Sequence, residues 1–206
     1  DLPSPDPYLE GELIGGRMKS ALAITSDYKL YLENIADVRK TYPDMKVLLL
    51  AYEDTMLAVG IENLKDFCLE HDVNDVIVVG DKYPRLKEEL MSAGMQVSCY
   101  IRYNLPEGDI TNARNSNGFI YLQAKPIGSP VNPDFPTLKD LIDELRHLGF
   151  NRAIYCGVGV HDPKDVVMVR NAGADAAFVG SSILRVDNNP EKLQEVIETF
   201  VAASKA

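Results

Sequence analysis

The stretch "AGADAAFVGSSILRV" (residues 172–186) carries a short apolar run straight into Gly180-Ser181-Ser182, with nothing bulky at its exit. A glycine there lets another group approach the backbone closely. Hydroxyls beside free N–H groups at a helix start suit an anion, and a phosphate above all. One apolar run earlier, "RAIYCGV" (152–158) leads into a second glycine pair, Gly157 and Gly159. Two successive strand exits are thus expected to offer backbone N–H groups to the same dianion.

Four more apolar runs precede these two: "KVLLLAY" (46–52), "DVIVVG" (75–80), "QVSCYIR" (96–102) and "GFIYLQA" (118–124), with "AAFVG" (176–180) the last of the six. They are short, continuous rather than alternating, and rich in Val, Ile, Leu and Tyr, as in parallel strands covered on both faces. Helical segments fall between them. Leu138, Leu141, Ile142, Leu145 and Leu148 form one stripe, with Thr137 and Asp140 placed to cap its start. Leu193, Val196, Ile197, Phe200 and Val201 form another, behind Asn189 as N-cap and Pro190 at the first helical position. Asp162-Pro163, with Asp165 in a capping position, opens a third, and residues 60–72 and 81–93 supply two more.

Strict alternation of strand and helix allows a (β/α)8 barrel or an open doubly wound sheet. No GxGxxG stands early in the chain, where an open dinucleotide-binding sheet would carry it. Glycines at the exits of the last two strands, with a short segment Ser181–Arg185 before the final helix, match the phosphate site of a TIM barrel. The expectation is an α/β fold, a single TIM-barrel domain over residues 1–206. A barrel has eight strands, and "DLP" at the start reads as the exit of a further one. Strand 1 and most of strand 2 would then be missing from this chain, which begins without Met. Either it lacks its natural beginning or a partner fills the gap.

The chain has 206 residues, 46% hydrophobic and 25% charged, ordinary for one globular domain. With 21 basic and 31 acidic residues the net charge is −10, a field that repels nucleic acid and anionic membranes. A phosphorylated ligand needs a local positive spot against that field, and Lys125 at a strand exit is one source. Cys68, Cys99 and Cys156 show no CxxC spacing and read as buried reduced thiols of a cytoplasmic protein, with no metal site. No apolar run approaches the roughly 20 residues of a membrane span.

"SPDPYLEGELI" (4–14), together with "LLLAYEDTMLAVGI" (48–61), "FIYLQ" (119–123) and "GVGVHDPKDV" (157–166), resembles the tryptophan synthase α-subunit family, in the same order and along essentially the whole chain. The family carries a Ser-Asp-Pro-x-x-Asp-Gly loop after strand 2, with which Pro5–Gly11 is in register. Tyr52 with Gly60-Ile61 matches its strand 3 and the helix that follows, and Tyr121-Leu122 its strand 6. The resemblance implies a lyase without a cofactor of its own. It would cleave indole-3-glycerol phosphate by a retro-aldol step into indole and glyceraldehyde 3-phosphate, in tryptophan biosynthesis.

That reaction needs one group to protonate indole C3 and another to take the glycerol hydroxyl proton. A carboxylate must also stabilise positive charge at the indole N–H. By resemblance Glu10 stands where the family has that carboxylate as Asp, one methylene shorter. The family's proton-transferring Glu lies two residues before the position of Asp1, and Asp1 is out of register to replace it. Tyr121 is the second catalytic-site residue the resemblance implies, and Tyr52 would line the indole pocket. Gly157, Gly159, Gly180 and Ser181 would bind the phosphate. Val158 stands where the family usually has an aromatic residue, and Asp54 where it commonly has Asn. Loop 126–136 would be a lid. Asp6-Pro7 would face the tryptophan synthase β subunit, the partner that receives indole. The Asp-to-Glu change also motivates an alternative, a catalytically silent relative that binds a phosphorylated ligand or a partner protein. A third reading is another phosphate-binding barrel enzyme acting on a sugar phosphate. His161 reads as a surface residue at a helix entry. Gly15-Gly16, inside a helical pattern, call for close packing or local mobility.

Overall fold

The computed structural model describes residues 1–205, in two units: residues 1–99 with 116–118, and residues 100–115 with 119–205. Six strands are present among the described residues, and their order in the sheet is that of the chain. All six lie inside the apolar runs read from the sequence.

The first unit opens with a loop, then α1 (Glu12–Ile24) and α2 (Tyr28–Thr41), followed by β1 (Leu48–Tyr52), α3 (Glu53–Val59) and α4 (Ile61–Glu70). Next come β2 (Asp75–Val79), α5 (Pro84–Ser92) and β3 (Gln96–Ile101), whose last two residues belong to the second unit. β1 pairs in parallel with β2, Leu48 opposite Asp75 and Tyr52 opposite Val79, and β2 with β3, Ile77 opposite Ser98. Alternate residues of a strand point to opposite faces. Leu49, Ala51, Val76, Val78 and Val97 accordingly join helix residues Met56, Leu64, Cys68 and Leu90 in one buried cluster. Leu50 and Tyr52 fall on the other face. Ahead of these helices, buried Leu2 donates its N–H to Leu50 O at 3.0 Å.

In the second unit α6 (Glu107–Arg114) precedes β4 (Ile120–Gln123), α7 (Leu138–His147), β5 (Ile154–Gly157), α8 (Pro163–Asn171) and β6 (Ala176–Ala177). The four-residue α9 (Ser181–Leu184) and α10 (Pro190–Lys205) end it. β5 lies parallel to both β4 and β6, with Gln123 opposite Gly157 and Cys156 opposite Ala177. Ile120, Leu122, Ile154 and Cys156 meet the α7 stripe in a second core, with Leu138, Leu141, Ile142 and Leu145 all nearly or fully inaccessible. Both expected capping boxes form, Thr137 with Asp140 and Asp162 with Asp165. Asn189 Oδ1 accepts Lys192 N–H at 3.0 Å to start α10.

Three differences from the sequence reading have plain causes. The last strand ends at Ala177 rather than 180, because the chain turns at Gly180 to start α9. Close packing at Gly15-Gly16 is absent: a Cβ on Gly15 would make only ordinary contacts, and one on Gly16 would meet nothing. The tandem helices α1 and α2 fill the stretch before β1, where the sequence reading has only the helical pattern around Gly15-Gly16. All three thiols are buried and outside any disulfide, and burial pushes those of Cys68 and Cys156 up to about 12.

Candidate active site

In the first unit the candidate site is built on the loop 4–11 and the exit of β1. Two local turns shape the loop: Asp6 N–H bonds Ser4 Oγ at 3.1 Å and Glu10 N–H bonds Pro7 O at 2.9 Å. Tyr52, only 2% exposed, then fastens the loop to the strand. Its hydroxyl accepts the Leu9 N–H at 3.2 Å and donates to Glu10 Oε1 at 3.4 Å. The Tyr8 ring stands edge-on to the Tyr52 ring, centroids 5.3 Å apart. Glu10 and Tyr52, predicted separately as catalytic and pocket residues, are therefore one hydrogen-bonded pair.

Burial raises the Glu10 carboxyl above its ordinary range, while the Tyr52 hydroxyl bond pulls it down. Burial, and then the Glu10 charge, push the Tyr52 phenol up, so it stays a neutral donor. Asp6 is exposed and Pro7 half-buried, while Tyr8 and Leu9 beside them are about half exposed at 54% and 50%. Asp54, exposed in the first turn of α3, pairs loosely with Lys82 at 3.9 Å.

A buried carboxylate that the sequence reading passed over lies next to this site. Glu53, 2% exposed, accepts the Lys82 N–H at 2.9 Å, and Lys87 Nζ donates to Gly80 O at 2.7 Å. Together they hold the loop that leaves β2. The signal available was an acidic residue in the first turn of a helix, which the helix dipole favours.

The second unit holds the glycine-bearing exits. Tyr121 is half-buried, its ring 5.2 Å from that of Tyr100 and 5.0 Å from that of Phe178. It lies across Gly157, where a Cβ would come within 2.6 Å of the ring. At Gly159 (φ +103°) a Cβ would come within 2.8 Å of Lys125 Cβ. At Gly180 the same position is open, with nothing inside 4 Å. The missing side chains thus admit a neighbouring residue at Gly157 and Gly159 and leave free access at Gly180. Between the first two, Val158 takes a left-handed φ of +60°, which a β-branched residue adopts only under strain.

Two bonds bring the β5 exit and the start of α9 together. His161 Nδ1 lies 3.1 Å from Ser181 Oγ, and Ser182 Oγ donates to His161 O at 2.7 Å. His161, expected to be a bystander, is thus in contact with one of the predicted phosphate ligands. Its position two residues beyond Gly159 was the available signal.

Lys125 does not supply a bare positive charge. Its Nζ donates to Asp165 Oδ1 at 2.6 Å, and Asp165 is 3% exposed. Burial opposes ionisation of Asp165, but Lys125 and the N–H groups of His161 and Asp162 hold its carboxyl below the usual range. The loop 126–136 is anchored at its start by Gln123, whose Nε2 donates to Ile127 O at 2.7 Å and whose Oε1 accepts from Ser129 Oγ at 3.0 Å. Among the described residues no three His, Cys, Asp or Glu side chains are grouped as metal ligands, and no helix is long and apolar enough to cross a membrane.

Comparison with known proteins supplies a family. The family model described as the tryptophan synthase alpha chain matches residues 1–205. A tryptophan synthase alpha chain from Aliivibrio fischeri is 26% identical over 216 aligned positions, covering 100% of this chain and 80% of that protein. One from Haemophilus influenzae is 27% identical, covering 98% and 81%. Among solved structures, the tryptophan synthase α2β2 complex from Pyrococcus furiosus includes a chain that superposes with a TM-score of 0.79 at 19% identity. That match covers 97% of this chain and 83% of the other, and it shows the fold.

Proposed function

The chain belongs to the tryptophan synthase alpha chain family, and on that premise we propose that it is a TIM-barrel lyase cleaving indole-3-glycerol phosphate into indole and glyceraldehyde 3-phosphate. The bond that breaks joins indole C3 to the glycerol chain. C3 gains a proton, a glycerol hydroxyl loses one, and the electron pair of the broken bond returns to the indole ring. Glu10 faces the indole N–H, where positive charge develops once C3 is protonated. A fixed carboxylate at that point stabilises the transition state more than the neutral ground state.

The observation that carries this reading is the Tyr52 hydroxyl bonded at once to Leu9 N–H and Glu10 Oε1. It holds the longer Glu side chain in one place although the family position is occupied by Asp. Tyr52 packs on the indole ring, Tyr121 is a residue of the catalytic site, and Gly157, Gly159, Gly180 and Ser181 take the phosphate. No cofactor takes part, and the loop 126–136 covers the bound substrate. The partner is a tryptophan synthase β subunit, met through the loop that carries Asp6 and Pro7, and the setting is the cytoplasm.

The test is to incubate the purified chain with indole-3-glycerol phosphate, with and without a β subunit, and to follow indole release beside Glu10→Ala. Indole from the wild type and its loss in the variant is the expected result. Absence of indole under both conditions overturns the lyase reading in favour of a silent relative.

A further inference from the structure

We propose that His161 is a positioning residue of the phosphate subsite: its Nδ1–H donates to Ser181 Oγ and so turns the Ser181 proton outward onto a phosphate oxygen. The inference rests on the reading of Gly159, Gly180 and Ser181 as that subsite, and adds to it the residue that sets the direction of its hydroxyl.

A serine hydroxyl has one proton to give and lone pairs that accept. At 3.1 Å, His161 Nδ1 and Ser181 Oγ are in hydrogen-bond contact, and either atom is able to be the donor. If Ser181 donates to the ring, its lone pairs are left facing the phosphate, and acceptor meets acceptor. If the ring donates, the Ser181 proton is released for the ligand, and the two bonds run in series from imidazole through hydroxyl to phosphate. A bound dianion therefore selects the imidazole form that carries a proton on Nδ1.

The backbone of His161 is held from both sides for this role. Its N–H donates to Asp165 Oδ2 at 2.9 Å, and its carbonyl accepts Ser182 Oγ at 2.7 Å. Nearby charges do not take the role over. Lys125 is bound to Asp165 at 2.6 Å and Lys164 to Asp162 at 3.3 Å, each cation matched with its own carboxylate. The ring nitrogen is the group in contact with the Ser181 hydroxyl.

The test measures binding of sn-glycerol 3-phosphate to the full chain by NMR titration, with glycerol as control and thermal melts to follow folding. The wild type is compared with His161→Ala, His161→Asn, Ser181→Ala and the His161→Ala/Ser181→Ala double variant. Asn offers an amide N–H close to where Nδ1 stands, so rescue by it separates donation from bulk. His161→Ala is expected to weaken binding about 10-fold, and His161→Asn to keep most of the affinity. In the Ser181→Ala background, His161→Ala is expected to add nothing, because its effect passes through the hydroxyl. Equal loss from Asn and Ala, or an unchanged penalty in the Ser181→Ala background, overturns the proposal. Loss with Ser181→Ala but not with His161→Ala overturns the assignment of His161 while the subsite stands. Absence of phosphate-dependent binding by the wild type, or a harmless Ser181→Ala, overturns both.

Discussion

Glu10 and Asp165 are two carboxylates that their surroundings shift in opposite directions, and each shift has a measurable consequence. Burial raises Glu10, and only the Tyr52 hydroxyl among its neighbouring side chains restrains it. If activity requires ionised Glu10, the acid limb of the kcat/KM profile lies above the ordinary carboxylate range. Tyr52→Phe keeps the ring and removes the donor, so that limb is expected to move to still higher pH, while Glu10→Gln abolishes it; pH–rate profiles of the three proteins check this. Asp165 is depressed, so its contribution to stability is present above the pKa of an unfolded aspartate and is lost as pH falls through the lower folded value. Asp165→Asn strands Lys125 and weakens two backbone bonds, at a cost of about 2–3 kcal/mol near neutral pH. Urea unfolding at pH 7 and again at pH 3 is expected to show that gap shrinking as the wild-type carboxyl takes up its proton.

Two glycines give opposite predictions at the scale of single elements. Gly16 sits within α1 with open space where a Cβ would stand, so Gly16→Ala is expected to stabilise by about 1 kcal/mol, read as a higher Tm. Gly118 enters β4 where a Cβ would fall 2.8 Å from the Val97 backbone and 2.3 Å from Ser98 Oγ, so Gly118→Ala is expected to destabilise and lower Tm. Elements with a continuous apolar pattern were legible in the sequence: all six strands, and α7, whose stripe is buried along its whole inner face. By contrast, α2 buries only Leu32, and its clearest signal is Asp27, which accepts the Lys29 N–H as N-cap. The site divides in the same way. Loop glycines and the Glu10 position are visible in the linear order of residues. The Tyr52–Glu10 bond joins positions 42 residues apart, and the His161–Ser181 contact joins positions 20 apart. Such pairs come into being only when strand exits meet, so spacing along the chain does not announce them.

For the molecule as a whole, net charge and one surface loop bear on assembly. The loop that presents Glu10 also presents Tyr8 and Leu9 to solvent, large apolar side chains next to exposed Asp6. Leu9 N–H and Glu10 Oε1 meet on the same Tyr52 hydroxyl, so a shift of the loop backbone at Leu9 is felt at the carboxylate. A β subunit that buries Tyr8 and Leu9 would steady that bond network, and on the proposed role of Glu10 it would couple partner binding to catalysis through one hydroxyl. Leu9→Ala is expected to weaken association with a β subunit about 10-fold, measured by calorimetry or sedimentation, because an interface anchor loses its apolar contact. It should leave the β-free rate of indole release within about 3-fold, since its main-chain N–H remains on Tyr52. Tyr52→Phe gives the complementary pattern: near-normal association, because the ring contact with Tyr8 persists, but a smaller rise in activity when the β subunit is added. With a net charge of −10, association is also expected to change with ionic strength, slowing with salt if the partner's facing surface is basic. Equal activation of Tyr52→Phe and wild type by the β subunit would separate partner binding from the Glu10 carboxylate.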